Sequence, residues 1–354
     1  MRDQLQLSNS SLGLLLLCAA LASVIGLPAS APLIARWGVA AVVRAGSVMV
    51  AVGIVGLGTG VFAGTVVLAA GSLAVYGMGT AVWDISMNVE AAAVEQSLGR
   101  SIMPRFHAAF SLGTVAGAGS GAAAVALGLS MPWHMLVIAA AVLTLSLTSA
   151  RHFLLSQAPE DSRSGAAQAW REPHVLLIGL MVLALALTEG VANDWLALAL
   201  KDGYGVSEPL AVLGFATFLA SMTVGRMVGP VLLDRFGRVP VLWSTMALAA
   251  LGVLAVVLGQ QPVLVVAGIV MWGLGASLGF PVGMSAAADD PQKAAARVSV
   301  VSTLGYAAFL MGPPLLGFLA DHVGVLHALL VISVLLVPAA LVVPSARERT
   351  QTLT

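Results

Sequence analysis

The sequence predicts an all-α integral membrane protein with eleven transmembrane helices in two bundles, five in the first and six in the second. Three observations carry this. Of the 354 residues 59% are hydrophobic and only 9% charged, where soluble domains carry about a quarter charged residues; the mean hydropathy is +0.99. Apolar runs of about 20 residues, the length that crosses a bilayer core as helix, recur from end to end. The chain also overlays itself when shifted by 199 residues.

Five spans are expected at 11–34, 39–58, 62–90, 106–127 and 132–150, and six at 175–200, 209–233, 239–259, 262–286, 298–320 and 324–344. The first group defines an N-terminal bundle, 1–150, and the second a C-terminal bundle, 175–354. Between them "RHFLLSQAPEDSRSGAAQAWREPH", residues 151–174, is rich in charge and small residues and reads as a cytoplasmic linker. No connector is long enough to hold a soluble domain.

Positive charge orients the spans. Thirteen basic residues, among them Arg36, Arg44, Arg100, Arg105, Arg151, Arg235, Arg238 and Lys293, fall on one side, against Arg2 and Lys201 on the other. That side is cytoplasmic, so the C-terminus is inside. An Arg-rich, Lys-poor composition with excess Ala, Gly and Val suggests a GC-rich bacterial genome, hence a multi-pass protein of the bacterial inner membrane. The lipid bilayer is the partner this composition leads one to expect. A formal net charge of zero gives no reason to expect nucleic acid, and a monomer is expected.

The overlay at 199 residues puts "IARWG" (34–38) on "LDRFG" (233–237), Gly26 on Gly225, and "HAAFSLG" (107–113) on "YAAFLMG" (306–312). "GMGTAVWD" (77–84) falls on "GLGASLGF" (273–280) at 196. Parallel repeats of this size are typical of transporters built from two six-helix bundles. "MRDQLQLS" then falls on "LKDGYGVS" (200–207), a loop that in the second copy follows a complete span. One helix of a six-plus-six architecture is therefore expected upstream. A cleaved signal peptide ending near Ala31, or a lipoprotein site at Cys18, fits less well: Pro32 would follow the cut, and Leu17 precedes the cysteine.

"GPVLLDRFGRVPVL" (229–242) resembles the cytoplasmic signature loop of the major facilitator superfamily, with Asp234, Arg235, Gly237 and Arg238 matching and Pro230 in the place of its leading glycine. The first copy keeps Arg36 and Gly38 but has Ala35 where the acid belongs; "GFLAD" (317–321) echoes the motif on the other side of the membrane. "WDISMNVEAAAVE" (83–95), "TEGVANDWLALALKD" (188–202) and "STLGYAAFLMGPPLLGFLAD" (302–321) are similar to a bacterial branch of permeases related to sugar and fucose permeases. The resemblance implies the superfamily fold and secondary transport of a sugar-like solute or other small metabolite. It also implies a gating role for Asp234, Arg235, Gly237 and Arg238, with Asp234 facing a neighbouring helix end and the arginines pairing with acids or headgroups.

Ionisable groups within spans are costly and mark pathways by default. Glu189 lies about 20 Å into its span at 1.5 Å per residue, with Asn193 one turn on and Asp194 beyond. Asp84 and Asn88 repeat the acid-x-x-x-Asn spacing. Each acid is a candidate proton carrier; a carboxyl hydrogen-bonded within the bundle or standing in a wet cavity is the bland reading. His107 and its repeat mate Tyr306 could both face a central cavity. Arg226 could snorkel to the cytoplasmic face or pair with Asp234 in the gate. Trp83, Trp195, Trp272, Phe110 and Phe280 could stack on a planar ligand or simply pack. Gly113, Gly117 and Gly121 would let helices approach, while Phe280-Pro281 and Gly312-Pro313-Pro314 would break helices.

No enzyme is expected, and no cofactor or metal. Gly-x-Ser-x-Gly, His-Glu-x-x-His and Gly-x-x-x-x-Gly-Lys are absent, and the histidines are scattered. Secondary transport by alternating access, coupled to protons through Glu189 or Asp84, is the leading expectation. Proton-driven efflux, a non-transporting receptor on the same scaffold, and an inactive eleven-span form are the alternatives.

Overall fold

The computed structural model describes residues 4–7, 9–154 and 165–348, and no strand occurs among them. The first sequence half supplies α1 (Asn9–Trp37), α2 (Val39–Phe62), α3 (Val66–Leu98), α4 (Met103–Ala126) and α5 (Met131–Ser149). After a short α6 (Gly165–Ala169) come α7 (Pro173–Tyr204), α8 (Glu208–Phe236), α9 (Arg238–Leu258), α10 (Pro262–Ala276) and α11 (Gly279–Ala287). Then follow α12 (Ala294–Val323), α13 (Val325–Ala328) and α14 (Leu330–Val342). Among the described residues ten spans are long and apolar enough to cross a membrane, α10 with α11 and α13 with α14 each counting as one. The 24 residues of α4 supply an eleventh by length, about 36 Å at 1.5 Å per residue. Arg2, Asp3 and Ser8, which carry the N-terminal overlay, lie outside the described residues, as does Arg163 of the linker.

Local sequence sets the helix ends. Proline stands in the first turn of α5, α7, α8 and α10, where its missing N–H costs nothing and its fixed φ suits the helix. Gly38 and Gly237 separate α1 from α2 and α8 from α9 with matching backbones, φ 78°, ψ 160° and φ 77°, ψ 167°. This is a left-handed turn open to glycine, and the two residues are equivalent in the repeat. Gly324 makes a similar turn after the "GFLAD" echo, φ 80°, ψ 152°.

Two compact units result. One comprises Met1–Val94, Gly113–Trp170 and Asp290–Val300; the other comprises Glu95–Leu112, Arg171–Asp289 and Val301–Thr354. The same packing device recurs in each. In the first, a Cβ on Gly53 of α2 would lie 2.8 Å from the Ser72 carbonyl of α3. In the second, a Cβ on Gly252 of α9 would lie 2.7 Å from the Gly268 carbonyl of α10. A Cβ on Gly26 would lie 2.8 Å from that of Ala81, and one on its mate Gly225 2.7 Å from that of Ser277. These residues correspond at the two offsets read from the sequence. In lipid, where burial between helices gains little, close backbone approach through small residues is what holds helices together.

Two expectations fail. The glycine stripe of α4 does not mediate close approach: a Cβ on Gly113 or Gly117 would meet nothing within 4 Å. Nor does α12 break at Pro313-Pro314; it runs unbroken from Ala294 to Val323. Pro313 and Pro314 lie about five turns into α12 at 3.6 residues per turn; each costs one backbone bond, which a helix packed among neighbours can absorb. At Pro281 the break does occur, at Ser277–Leu278 between α10 and α11.

Candidate functional site: a buried arginine network

Pro281 has no N–H, so the carbonyl four residues earlier, that of Ser277, loses its helical donor. Arg226 of α8 takes the place: its Nε donates to the Ser277 carbonyl at 3.3 Å. Gly225, the preceding residue, has no side chain to hold α8 away from the break. Arg226 Nη1 donates to Ser111 Oγ of α4 at 2.8 Å, and Nη2 to Glu189 Oε2 of α7 at 2.9 Å. The Ser111 hydroxyl in turn donates to the His107 carbonyl at 3.2 Å. The arginine side chain is 4% exposed and the glutamate 17%.

Arg226 therefore neither snorkels nor pairs with Asp234. It turns inward because a buried guanidinium gains more from a carboxylate and two oxygen acceptors than from partial hydration. Sequence reasoning found Glu189 and Arg226 but did not join them. Ser111 and the Ser277 carbonyl carried no signal of their own; the usable one was Pro281, whose ring frees a carbonyl at a known position.

Beside this network lies an aromatic row within the same unit. The His107 ring meets Phe280 edge-on at 5.5 Å, Phe280 meets Tyr306 edge-on at 6.0 Å, and Tyr306 meets Phe309 at 6.0 Å. The sequence pair His107 and Tyr306 is thus brought together across Phe280. Trp272, by contrast, is fully buried, edge-on to Phe218, with its indole N–H donating to the Thr188 carbonyl at 3.2 Å; it packs the core. Asn193 and Asp194 stand exposed on α7 beyond Glu189.

At the far end of the same unit the signature loop meets the start of α4. Asp234 Oδ1 accepts from the backbone N–H of Ser101 at 2.7 Å, and Glu95 Oε2 accepts from those of Ile102 and Met103, each at 2.7 Å. Carboxylates there satisfy the donors a helix start leaves over and meet the positive end of its dipole. Arg238 Nη1 donates to both oxygens of Asp289 at 2.8 Å. Arg235 is exposed, its guanidinium 5.2 Å from the ring of Phe236.

In the other unit Asn88 Nδ2 donates to the Asp84 backbone carbonyl at 2.9 Å, so the acid-x-x-x-Asn spacing makes a side chain to backbone bond. Asp84 is half-buried and Asn88 buried. Glu90, which the sequence reading passed over at the end of its span, is 5% exposed and accepts from the Leu154 N–H. No group of three or more His, Cys, Asp or Glu able to hold a metal occurs among the described residues.

The Major Facilitator Superfamily model matches residues 178–353. An uncharacterised MFS-type transporter of Yersinia pestis is 30% identical over 327 residues, covering 90% of this chain and 82% of the relative. Transporter y4wD of Sinorhizobium fredii, also uncharacterised, is 33% identical over 318 residues, 89% and 83% of the two chains. The solved structure of FucP, an MFS transporter in the outward conformation, is similar at a TM-score of 0.82 and 14% identity, covering 98% of this chain and 93% of that one. The human organic anion transporter MFSD10 gives 0.76 at 16% identity, covering 97% and 87%.

Proposed function

Because the chain belongs to the major facilitator superfamily, and is thus a multi-pass membrane transporter, we propose that it moves a small solute by proton-coupled alternating access, with Glu189 as the proton carrier. The observation that carries this is the Arg226–Glu189 pair, 2.9 Å apart and set within two spans. An ion pair in that setting is expensive to keep unless exchanging it does work. The repeat speaks for the same reading: the mate of Arg226 at 199 residues is Leu27, 1% exposed, so the fold itself asks for an apolar residue there.

In this reading the halves 1–150 and 175–354, joined by the linker 151–174, rock to open a central cavity to either side. Asp234, with Gly237 and Arg238, latches the cytoplasmic gate of a bacterial inner-membrane monomer whose C-terminus lies inside. Its bond to the start of α4 supports the latch, since it ties the signature loop of the second sequence half to a helix of the first. Asp84 is the second candidate for the proton.

The test is reconstitution in proteoliposomes, after a thermal-stabilisation screen of sugars, polyols, organic acids and drugs has supplied a ligand. An imposed inward proton gradient is expected to drive accumulation of that ligand by the wild-type protein. Glu189→Gln is expected to abolish accumulation while retaining counterflow. Unchanged accumulation in the variant removes Glu189 from the mechanism, and binding without counterflow in the wild type indicates a receptor.

A further inference from the structure

We infer that the solute is a small organic anion, whose acid group binds the Arg226 guanidinium when Glu189 is protonated, its body lying against Phe280 and Tyr306. This rests on the proton-carrier reading of Glu189 above and adds the substrate class and the direction of coupling.

Charge conservation at a buried site is the first support. Among the described residues hydrogen-bonded to Arg226, the only acid is Glu189; the others are the Ser111 hydroxyl and the Ser277 carbonyl. The His107 ring, one turn before Ser111 on α4, also lies in the field of Arg226. A proton on Glu189 leaves the guanidinium, 4% exposed, without a counter-charge. An anion must then arrive or the state is strongly disfavoured.

Donor geometry is the second. A guanidinium has five N–H groups, and Arg226 donates one bond from each nitrogen. Each terminal nitrogen thus keeps one N–H uncommitted among the described residues. Glu189 engages through a single oxygen, and its departure frees a further N–H for a two-pronged carboxylate. The anchors on Ser277 and Ser111 hold the guanidinium in place during the exchange.

The aromatic row gives the solute its second contact. Phe280 lies in the first turn of α11, just past the break at Ser277–Leu278, and stands between His107 and Tyr306. Rings so placed suit the apolar face of a sugar acid or an aromatic acid. One proton and one monoanion would enter together, so the coupling is symport with no net charge moved at the site.

Thermal stabilisation of the purified protein in detergent tests this. The probes are acetate, benzoate and D-glucuronate against benzamide and D-glucose, at constant ionic strength. In Glu189→Gln, which mimics the protonated acid, at least one anion is expected to bind ten-fold or more tighter than in the wild type at pH 7.5. The gain is expected to vanish in the double variant Glu189→Gln/Arg226→Gln, which removes both buried charges and so keeps the site neutral. No anion effect in Glu189→Gln, an equal effect of the neutral partners, or survival of the effect in the double variant would each overturn the inference. If anions fail while Glu189→Gln still loses proton-driven accumulation, only the substrate class falls. If anions bind but a proton gradient never accumulates them, the coupling reading falls instead.

Discussion

Arg226 and Glu189, 37 positions apart in the chain, meet at 2.9 Å between α8 and α7. Removing one partner of such a pair strands the other. Arg226→Leu is therefore expected to lower stability by on the order of 3 kcal/mol. Arg226→Leu/Glu189→Leu is expected to recover most of that loss, because two apolar side chains suit the site that Leu27 occupies in the repeat. Melting temperatures of the purified variants decide. A double variant whose loss equals the sum of the losses in Arg226→Leu and Glu189→Leu would show that the two residues act separately.

The two sequence copies make a second expectation quantitative. Gly53 and Gly252 leave no room for a Cβ against the carbonyls of Ser72 and Gly268, whereas Gly113 meets nothing within 4 Å. Alanine at 53 or 252 must push two helices apart, at a cost of roughly 1–3 kcal/mol. Alanine at 113 is expected to leave the melting temperature unchanged or raise it slightly, since the helix gains propensity. Equal effects at all three sites would mean that backbone approach is not what holds α2 to α3 and α9 to α10.

Much of this was legible in the sequence, and for a physical reason. The repeat at 199 and 196 residues showed because close helix crossings admit few residue types, so Gly26 and Gly225 persist as readable marks; Gly53 and Gly252 joined them only once the crossings were seen. Glu189 showed because a charge is conspicuous inside an apolar run. Arg226 showed as well, but not as its partner, since it sits near enough to a span end to pass for a flanking or gating charge. Ser111 was silent because a serine in a helix is ordinary, and it acquires meaning only through the fold. Pro313-Pro314 misled: tertiary packing carried the helix through them, while at Pro281 a guanidinium was at hand to reward the break.

At the signature loop, Asp234→Ala is expected to free the Ser101 amide and Glu95→Ala those of Ile102 and Met103. Each loss is of the size of a helix cap, about 1 kcal/mol, or roughly five-fold in local opening. Hydrogen–deuterium exchange over residues 99–106 reads both. If Asp234 also latches the gate, Asp234→Ala changes the counterflow rate as well, while Glu95→Ala alters exchange alone. Unaltered exchange in Asp234→Ala would show that its bond to α4 does not form in solution.

Pro281→Ala separates the helix break from the residue that exploits it. Alanine restores the N–H that Ser277 lacks, and the ladder across Ser277–Leu278 can close. Removing a helix-interior proline is worth up to about 3 kcal/mol, so the variant is expected to melt higher than the wild type. The Ser277 carbonyl would then turn toward its own helix, and the 3.3 Å bond from Arg226 Nε would lengthen or vanish. Held by one anchor fewer, the guanidinium loses its fixed orientation toward Glu189. Proton-driven accumulation is expected to fall several-fold in this more stable protein, the signature of strain retained for function. A variant that melts higher and transports as well as the wild type would reduce the break between α10 and α11 to an accident of packing.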